Sequence, residues 1–217
     1  MIRESPFGAL LRDYERAMKS PEAAADMARA AREIRAERER ERVARWTARL
    51  TAADAPSNAW YVARATDLDR PPQGVVRAAL TALEKREKQQ PLLVILASRP
   101  QSGRTLALIR AIAEWNGTAR FIRAADLVEN QSRSYTAEDM QRKLIETMQS
   151  VSLLAIDDVH PDLSPLLYHD VLTRRFEEGR VTLCAVASGD HHEWAMHYLS
   201  PRLSRYQSAH GLVIVGR

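Results

Sequence analysis

Five short runs, "LLVILA", "ARFIRA", "SLLAID", "VTLCAVA" and "LVIV", punctuate the chain from residue 92 onward, each apolar and rich in branched side chains. Strands of that composition are buried on both faces, and burial on both faces requires a sheet with helices packed above and below it. Thr105 to Trp115, Ala137 to Gln149 and Leu166 to Glu178 lie between the runs, with apolar residues at helical spacing. Strand and helix in alternation predict a parallel sheet between two helical layers, an α/β three-layer fold. A helix from Val75 to Lys88 precedes the first strand, which Pro91 opens. With 217 residues and 45% hydrophobic content, the chain can bury one core of ordinary size and add an appendage.

The first strand runs into "SRPQSGRTLA", the layout of a strand, a phosphate-cradling turn and a helix. Such turns work because successive backbone N–H groups face the phosphates, glycines permit close approach, a lysine reaches the outer phosphates and a hydroxyl holds Mg²⁺. Against G-x-x-x-x-G-K-[ST], residues Ser98 to Thr105 keep the second glycine, Gly103, and the hydroxyl, Thr105. Ser98 replaces the first glycine and Arg104 replaces the lysine. Arginine is larger, planar and forked, so the exchange is not conservative at a tight site. Taken alone, the run is equally compatible with a surface turn. Two strands further on, "VSLLAIDDVH" ends an apolar strand in adjacent carboxylates, Asp157 and Asp158. In phosphate-loop proteins the first such acid organises Mg²⁺ and the second positions the attacking water. A plain capping turn is the alternative for the acid pair by itself; the two motifs in this order point to a nucleotide site.

From Trp60 to Arg217 the sequence resembles the AAA+ core of the DnaC/IstB group, bacterial helicase loaders and related transposition ATPases close to the DnaA initiators. The resemblance is carried by "AWYVARATDL" before the core, "LLVILASRPQSGRTLALIRAIAE" as Walker A, "ARFIRAADLVENQSRSY" as second strand, "LLAIDDVH" as Walker B, "LLYHDVLTRRFEEGRVTLCAVASGD" leading to sensor 1, and "LSPRLSRYQSAHGLVIVG" as arginine-finger helix and last strand. It implies an AAA+ P-loop parallel sheet without a helical lid. It further implies ATP and Mg²⁺ as cofactors. Ser102, Gly103, Arg104 and Thr105 would contact the nucleotide, with Ser188 near the sensor 1 position. Thr105 and Asp157 would hold the metal, and Asp158 would polarise water. Arg205 would be the arginine finger reaching a neighbour's nucleotide, with Arg202 as second candidate; a local ion pair on a surface helix is the plainer reading of either. The sequence departs from the family at Arg104 and at sensor 1, where "AVASGD" has no asparagine. DnaA-related regulators of the Hda kind share both departures. The resemblance therefore implies nucleotide binding retained or weakened, and hydrolysis slow or absent.

Ahead of the core, Ser5-Pro6 and Ser20-Pro21-Glu22 each place a capping hydroxyl before a proline at the first helical position, predicting two N-terminal helices. In the second, Met27, Ala31 and Ile34 form a narrow apolar stripe. "REIRAERERERVAR" interrupts it until Val43, Trp46 and Leu50 resume at helical spacing. Arg35 with Glu39 and Glu41 with Arg45 are i,i+4 pairs, each worth a few tenths of a kcal/mol. A solvated charged helix and a partner-binding arm both fit this pattern. Turn formers in "ADAPSN" and "DRPPQG" set the expected boundary near Ala55, giving a helical N-terminal region, 1–55, and a P-loop core, 56–217.

The formal net charge is +4, which permits an anionic partner without demanding one. The lone Cys184 excludes an internal disulfide and, with no apolar run of roughly 20 residues and no secretory signal, points to the cytoplasm. Arg133, Tyr135, Arg142 and Lys143 combine cations with an aromatic, as a single-stranded DNA surface would; a solvated loop and helix explain them equally well. His191, His192 and His197 lack the companion ligands of a metal site. The expected function is that of a replicative helicase loader. Its N-terminal helices would bind a hexameric helicase and its core would place that helicase on single-stranded DNA, with self-assembly through Arg205 and ATP as a switch. A non-catalytic adaptor or regulator of replication, and an IstB-like transposition ATPase, are the alternatives.

Overall fold

Residues 20–56, 72–87, 90–97, 101–126, 137–159, 165–186 and 200–215 are described in the structure, a computed structural model. The elements are α1 (Pro21–Ala52), α2 (Gly74–Glu84), β1 (Leu92–Leu96), α3 (Arg104–Glu114), β2 (Ala119–Arg123), α4 (Ala137–Ser150), β3 (Leu153–Val159), α5 (Pro165–Glu177), β4 (Val181–Val186), α6 (Ser200–Ser208) and β5 (Leu212–Val215). The chain divides into two compact units, Met1–Arg45 and Trp46–Arg217.

All five predicted strands form, and they pair in the order β2-β3-β4-β1-β5. Every pairing is parallel, as the alternation of strand and helix requires. Side-chain alternation sends Leu92, Val94 and Leu96 of β1 to one face, where they meet Ala107, Leu108, Ala111 and Ile112 of α3 and Val75 and Ala79 of α2. Leu93 and Ile95 go to the other face, with Met148 of α4, Val171 and Leu172 of α5, and Tyr206 of α6. This is the three-layer arrangement expected. Cys184 is a buried member of the second face.

Two buried polar groups tie the layers. Arg175 of α5 is 0% exposed. Its Nε donates to Thr182 Oγ1 at 2.8 Å, its Nη1 to the carbonyls of Met148 and Val151 at 2.7 Å each, and its Nη2 to the Val181 carbonyl. One guanidinium thus gathers the end of α4 and the start of β4. Tyr206 donates its hydroxyl to the Leu172 carbonyl at 3.1 Å and sets its ring edge-on to Phe176, with centroids 4.8 Å apart. Gly211 marks the entry to β5: a Cβ there would lie 1.9 Å from the Pro91 carbonyl oxygen, so no other residue fits.

The predicted N-cap of α1 is present, Ser20 Oγ accepting from the Ala23 N–H at 3.0 Å with Pro21 in the first position. Within the first unit its side chains are almost all exposed, Met27 at 47% and Ile34 at 54%, and Arg40 pairs with Glu37 at 3.4 Å. In the second unit, Trp46 and Leu50 are buried. Arg110 of α3 stacks over the Trp46 ring at 4.4 Å, and Arg49 Nη1 donates to the Ala113 carbonyl at 2.9 Å. The chain leaves the helix through Asp54, at φ 52°, with the Ala55 N–H on the Leu50 carbonyl. Phe121 of the edge strand β2 then donates to the Ala53 carbonyl at 2.8 Å, and Arg120 pairs with Asp54.

The helix expected over Val75 to Lys88 ends earlier, at Glu84. Arg86 explains the stop: its Nε donates to the Gln90 carbonyl at 2.7 Å and its Nη2 to the Gly179 carbonyl at 2.6 Å. These contacts turn the backbone toward β1, and helical periodicity gives no sign of them.

Candidate nucleotide site

Gly103 is the N-cap of α3 and sits in the left-handed region, at φ 89°, ψ 23°. Glycine enters that region without the Cβ penalty other residues incur, which is what the motif's retained glycine supplies. The preceding Gln101 is also left-handed, at φ 63°. The first α-helical bond runs from the Ala107 N–H to the Gly103 carbonyl at 2.8 Å, and no side chain caps the helix. The N–H groups of the first turn thus form the positive end of the helix dipole, suited to an anion. Ser102, Arg104 and Thr105 are half-buried around it, and Nη1 of Arg104 is fully buried. Ser98, Arg99 and Pro100 lie outside the described residues.

Asp157 ends the regular part of β3 and is 4% exposed. The Thr105 side chain lies close enough to its carboxylate to lower its pKa, so the turn at Gly103 and the acid pair come near each other there. Burial raises the Asp157 pKa, with the Asp158 charge adding to the rise; the Thr105 side chain, the Asp158 N–H and the positive charge of Arg104 oppose it. The Asp158 N–H donates to Asp157 Oδ1 at 3.1 Å. The acid pair was expected at the strand's end; instead β3 continues to Val159 through a register shift between Ile156 and Val159, with Asp158 at φ 52°. That bulge separates the two acids. Asp157 is held inside and Asp158 is turned out to solvent.

A hydroxyl beside a buried carboxylate is a hard-oxygen donor pair of the kind that fits Mg²⁺. The uncapped first turn of α3 and Arg104 fit the phosphates that would share the metal. Thr105 and Asp157 would hold the cation, which in such sites neutralises charge on the transferring phosphoryl group. The chain's own contributions are definite. Gly103 gives the turn its shape, Thr105 lies beside the Asp157 carboxylate, and the Asp158 N–H holds Asp157 Oδ1.

Of the remaining candidates, Arg205 lies on α6 with its side chain exposed, next to the buried Tyr206 that anchors the helix. Arg202 lies in the same helix. Ser188 lies outside the described residues, as do Arg133, Tyr135, His191, His192 and His197. Arg142 and Lys143 are exposed on α4. Burial pushes the Cys184 thiol up to about 12, which leaves it a protonated core residue without nucleophilic character. Sequence reasoning missed Arg123. It is the register partner of Asp157 on β2, exposed, and on the same face by alternation. Only the sheet order places it beside the acid.

No protein-family model matches the sequence, and no curated protein matches it. Solved structures do. The chain superposes on DnaI with a TM-score of 0.51 at 14% identity, covering 70% of this chain and 86% of that one. It superposes on a DNA replication initiation factor with a TM-score of 0.50 at 19% identity, covering 64% of this chain and 44% of that one. The match thus spans less than half of the initiation factor. The DnaC helicase loader superposes less closely, at 0.48 and 16% identity over 68% of this chain and 94% of that one. The parallel five-stranded sheet with helical layers on both faces is the fold shared with DnaI and with the replication initiation factor, and an N-terminal helix precedes it in the chain.

Proposed function

We propose that this chain is a nucleotide-responsive AAA+ protein of DNA replication, acting as a helicase loader. The observation that carries the reading is the nearness of Thr105 to the buried Asp157, which supports one site made of the phosphate turn and the acid pair. The likeness of fold to DnaI and to a replication initiation factor supports the setting. In this reading ATP with Mg²⁺ binds at Gly103, Arg104, Thr105 and Asp157, with Ser102 and Ser188 at its margins. Arg104 in place of lysine weakens binding and slows hydrolysis, so that nucleotide serves as a switch. Asp158, exposed beside the metal ligand, orients the attacking water where hydrolysis occurs. Arg205 reaches the nucleotide of a neighbouring copy. The N-terminal region, residues 1–55, binds a hexameric replicative helicase, and the core, 56–217, engages single-stranded DNA in the cytoplasm.

The exposed Met27 and Ile34 favour a binding role for α1 over a purely solvated one, because large apolar side chains on an otherwise charged helix face are what a partner covers. The experiment is co-purification with the helicase of the same replication system, using the full chain and a chain lacking residues 1–45, which keeps the buried Trp46 and Leu50 in the core. A loader retains the helicase at a fixed ratio and loses it on truncation. Undiminished binding by the truncated chain contradicts the assignment of the arm, and capture of a transposase in place of a helicase favours the IstB-like alternative.

A further inference from the structure

A groove of about 510 Å³ runs between α2 and the end strand β5, within the range of about 300–1,000 Å³ that small-molecule sites occupy. Its two ends differ. Lys85, Arg86 and His210 line it where α2 finishes and the chain enters β1 and β5, and Ala78, Ala82 and Val213 line it further along. The start of α2 lies by the phosphate turn, since a Cβ on Gly103 would be 3.9 Å from Val76. The cationic end is therefore at the opposite end of the sheet from the candidate nucleotide site, with the length of β1 between them.

Arg86 is a cation without a counterion. It is half-buried, and the groups that hold its Nε and Nη2, the Gln90 and Gly179 carbonyls, are neutral. Burial lowers its pKa, and no carboxylate charge opposes that fall. Arg86 and the exposed Lys85 make no ion pair among the described residues. No carboxylate lines the groove; Glu84 and Glu87, the nearest acids along the chain, are exposed and outside the lining. The carbonyl end of α2 brings about half a negative charge to this place, against a full positive charge on each of Lys85 and Arg86. The balance stays positive, and a partly desolvated cation left uncompensated is stabilised by an anion. The Gln90 side chain donates to the Ala209 carbonyl at 2.9 Å, which ties the entry to β5 to the entry to β1 and leaves this end formed in advance.

Cations at one end and small aliphatic side chains along the rest of the same groove suit an occupant with one charged head and an apolar body in line with it. Nucleic acid fits less well, because no aromatic side chain lines the groove to stack a base. We propose that the groove between α2 and β5 binds a small organic acid, its carboxylate at Lys85, Arg86 and His210 and its apolar body along Ala78, Ala82 and Val213. The site is separate from the nucleotide site and independent of the helicase-loader reading.

The test uses the full chain and monomeric decanoate, with acetate as the head alone and decyltrimethylammonium as the same tail under the opposite charge. Calorimetry reads affinity, and amide NMR shifts at Ala82 and Val213 read the place. Decanoate binds saturably and shifts both amides, while each control binds weaker by about tenfold or more. Lys85→Glu, a change at an exposed position, weakens decanoate by about tenfold or more, and Ala82→Phe fills the groove and abolishes binding while thermal unfolding stays cooperative. Asp157→Ala leaves decanoate binding as it was. The proposal is overturned by no saturable binding of decanoate, by equal binding of decyltrimethylammonium, by binding that Lys85→Glu leaves intact, or by binding lost in Asp157→Ala, which would put the probe in the nucleotide site.

Discussion

Asp157 shows a single residue serving two ends at once. Its carboxylate is buried where a metal would need it, and burial raises its pKa, so the fold without metal keeps its proton to higher pH than the unfolded chain does. Stability contributed by that group is present at low pH and lost as pH rises through the carboxylate range. Asp157→Asn is therefore expected to stabilise the metal-free protein at neutral pH by about 1 kcal/mol, or roughly 2–4 °C in Tm. The gain should shrink toward zero as pH falls, which thermal unfolding across a pH series will show; a Tm difference independent of pH would remove burial of charge as the cause. Arg175 is the opposite case, a buried cation whose every contact is structural, its pKa lowered to about 10 chiefly by burial. Arg175→Met leaves the carbonyls of Met148, Val151 and Val181 without their donor and should cost on the order of 3–5 kcal/mol, read from the urea midpoint. The nearness of the Gly103–Thr105 turn to the acid pair could be anticipated from the sequence, because a phosphate-loop motif specifies those residue types in that order. The burial of Arg175 could not, since arginine in a charged run such as "TRRFEEGR" reads as surface. Its helical phase, three and four residues after Leu172 and Val171, was the signal available.

At the scale of elements, the strands were readable because burial on both faces leaves an uninterrupted apolar run, whereas boundaries set by long-range contacts were not. α2 stops where Arg86 reaches Gly179, and β3 runs through Asp158 because a bulge carries it past the acid pair. Neither contact has a local sequence pattern. The close approach at Gly211 belongs to this scale, since it sets how α6 enters β5. Gly211→Ala forces a Cβ into the Pro91 carbonyl and should cost about 3 kcal/mol or more. Gly103→Ala meets no atom closer than 3.9 Å and bears only the strain of its positive φ, so its cost should be smaller, roughly 1–2 kcal/mol. Chemical denaturation of the two variants ranks them, and a larger loss at Gly103 would contradict the packing described. On α1, Met27→Asp with Ile34→Asp should leave stability within about 0.5 kcal/mol, because both side chains are exposed.

For the whole molecule, the account rests on two distant pieces of chain forming one site. β1 leads into the candidate phosphate turn, and β3, parallel to it with β4 between them, brings the acid pair to the same end of the sheet, near Thr105. In the proposed reading this place takes triphosphate and metal, and the replacement of lysine by Arg104 would act on how tightly it is filled. The direct measurement is equilibrium binding of ATP with Mg²⁺ by calorimetry, on the native protein and on Asp157→Ala, with folding of both checked by their thermal transitions. Binding by the native protein that Mg²⁺ strengthens, and that Asp157→Ala loses, is the predicted result. A folded native protein with no affinity for ATP, or with affinity indifferent to Asp157, would contradict it.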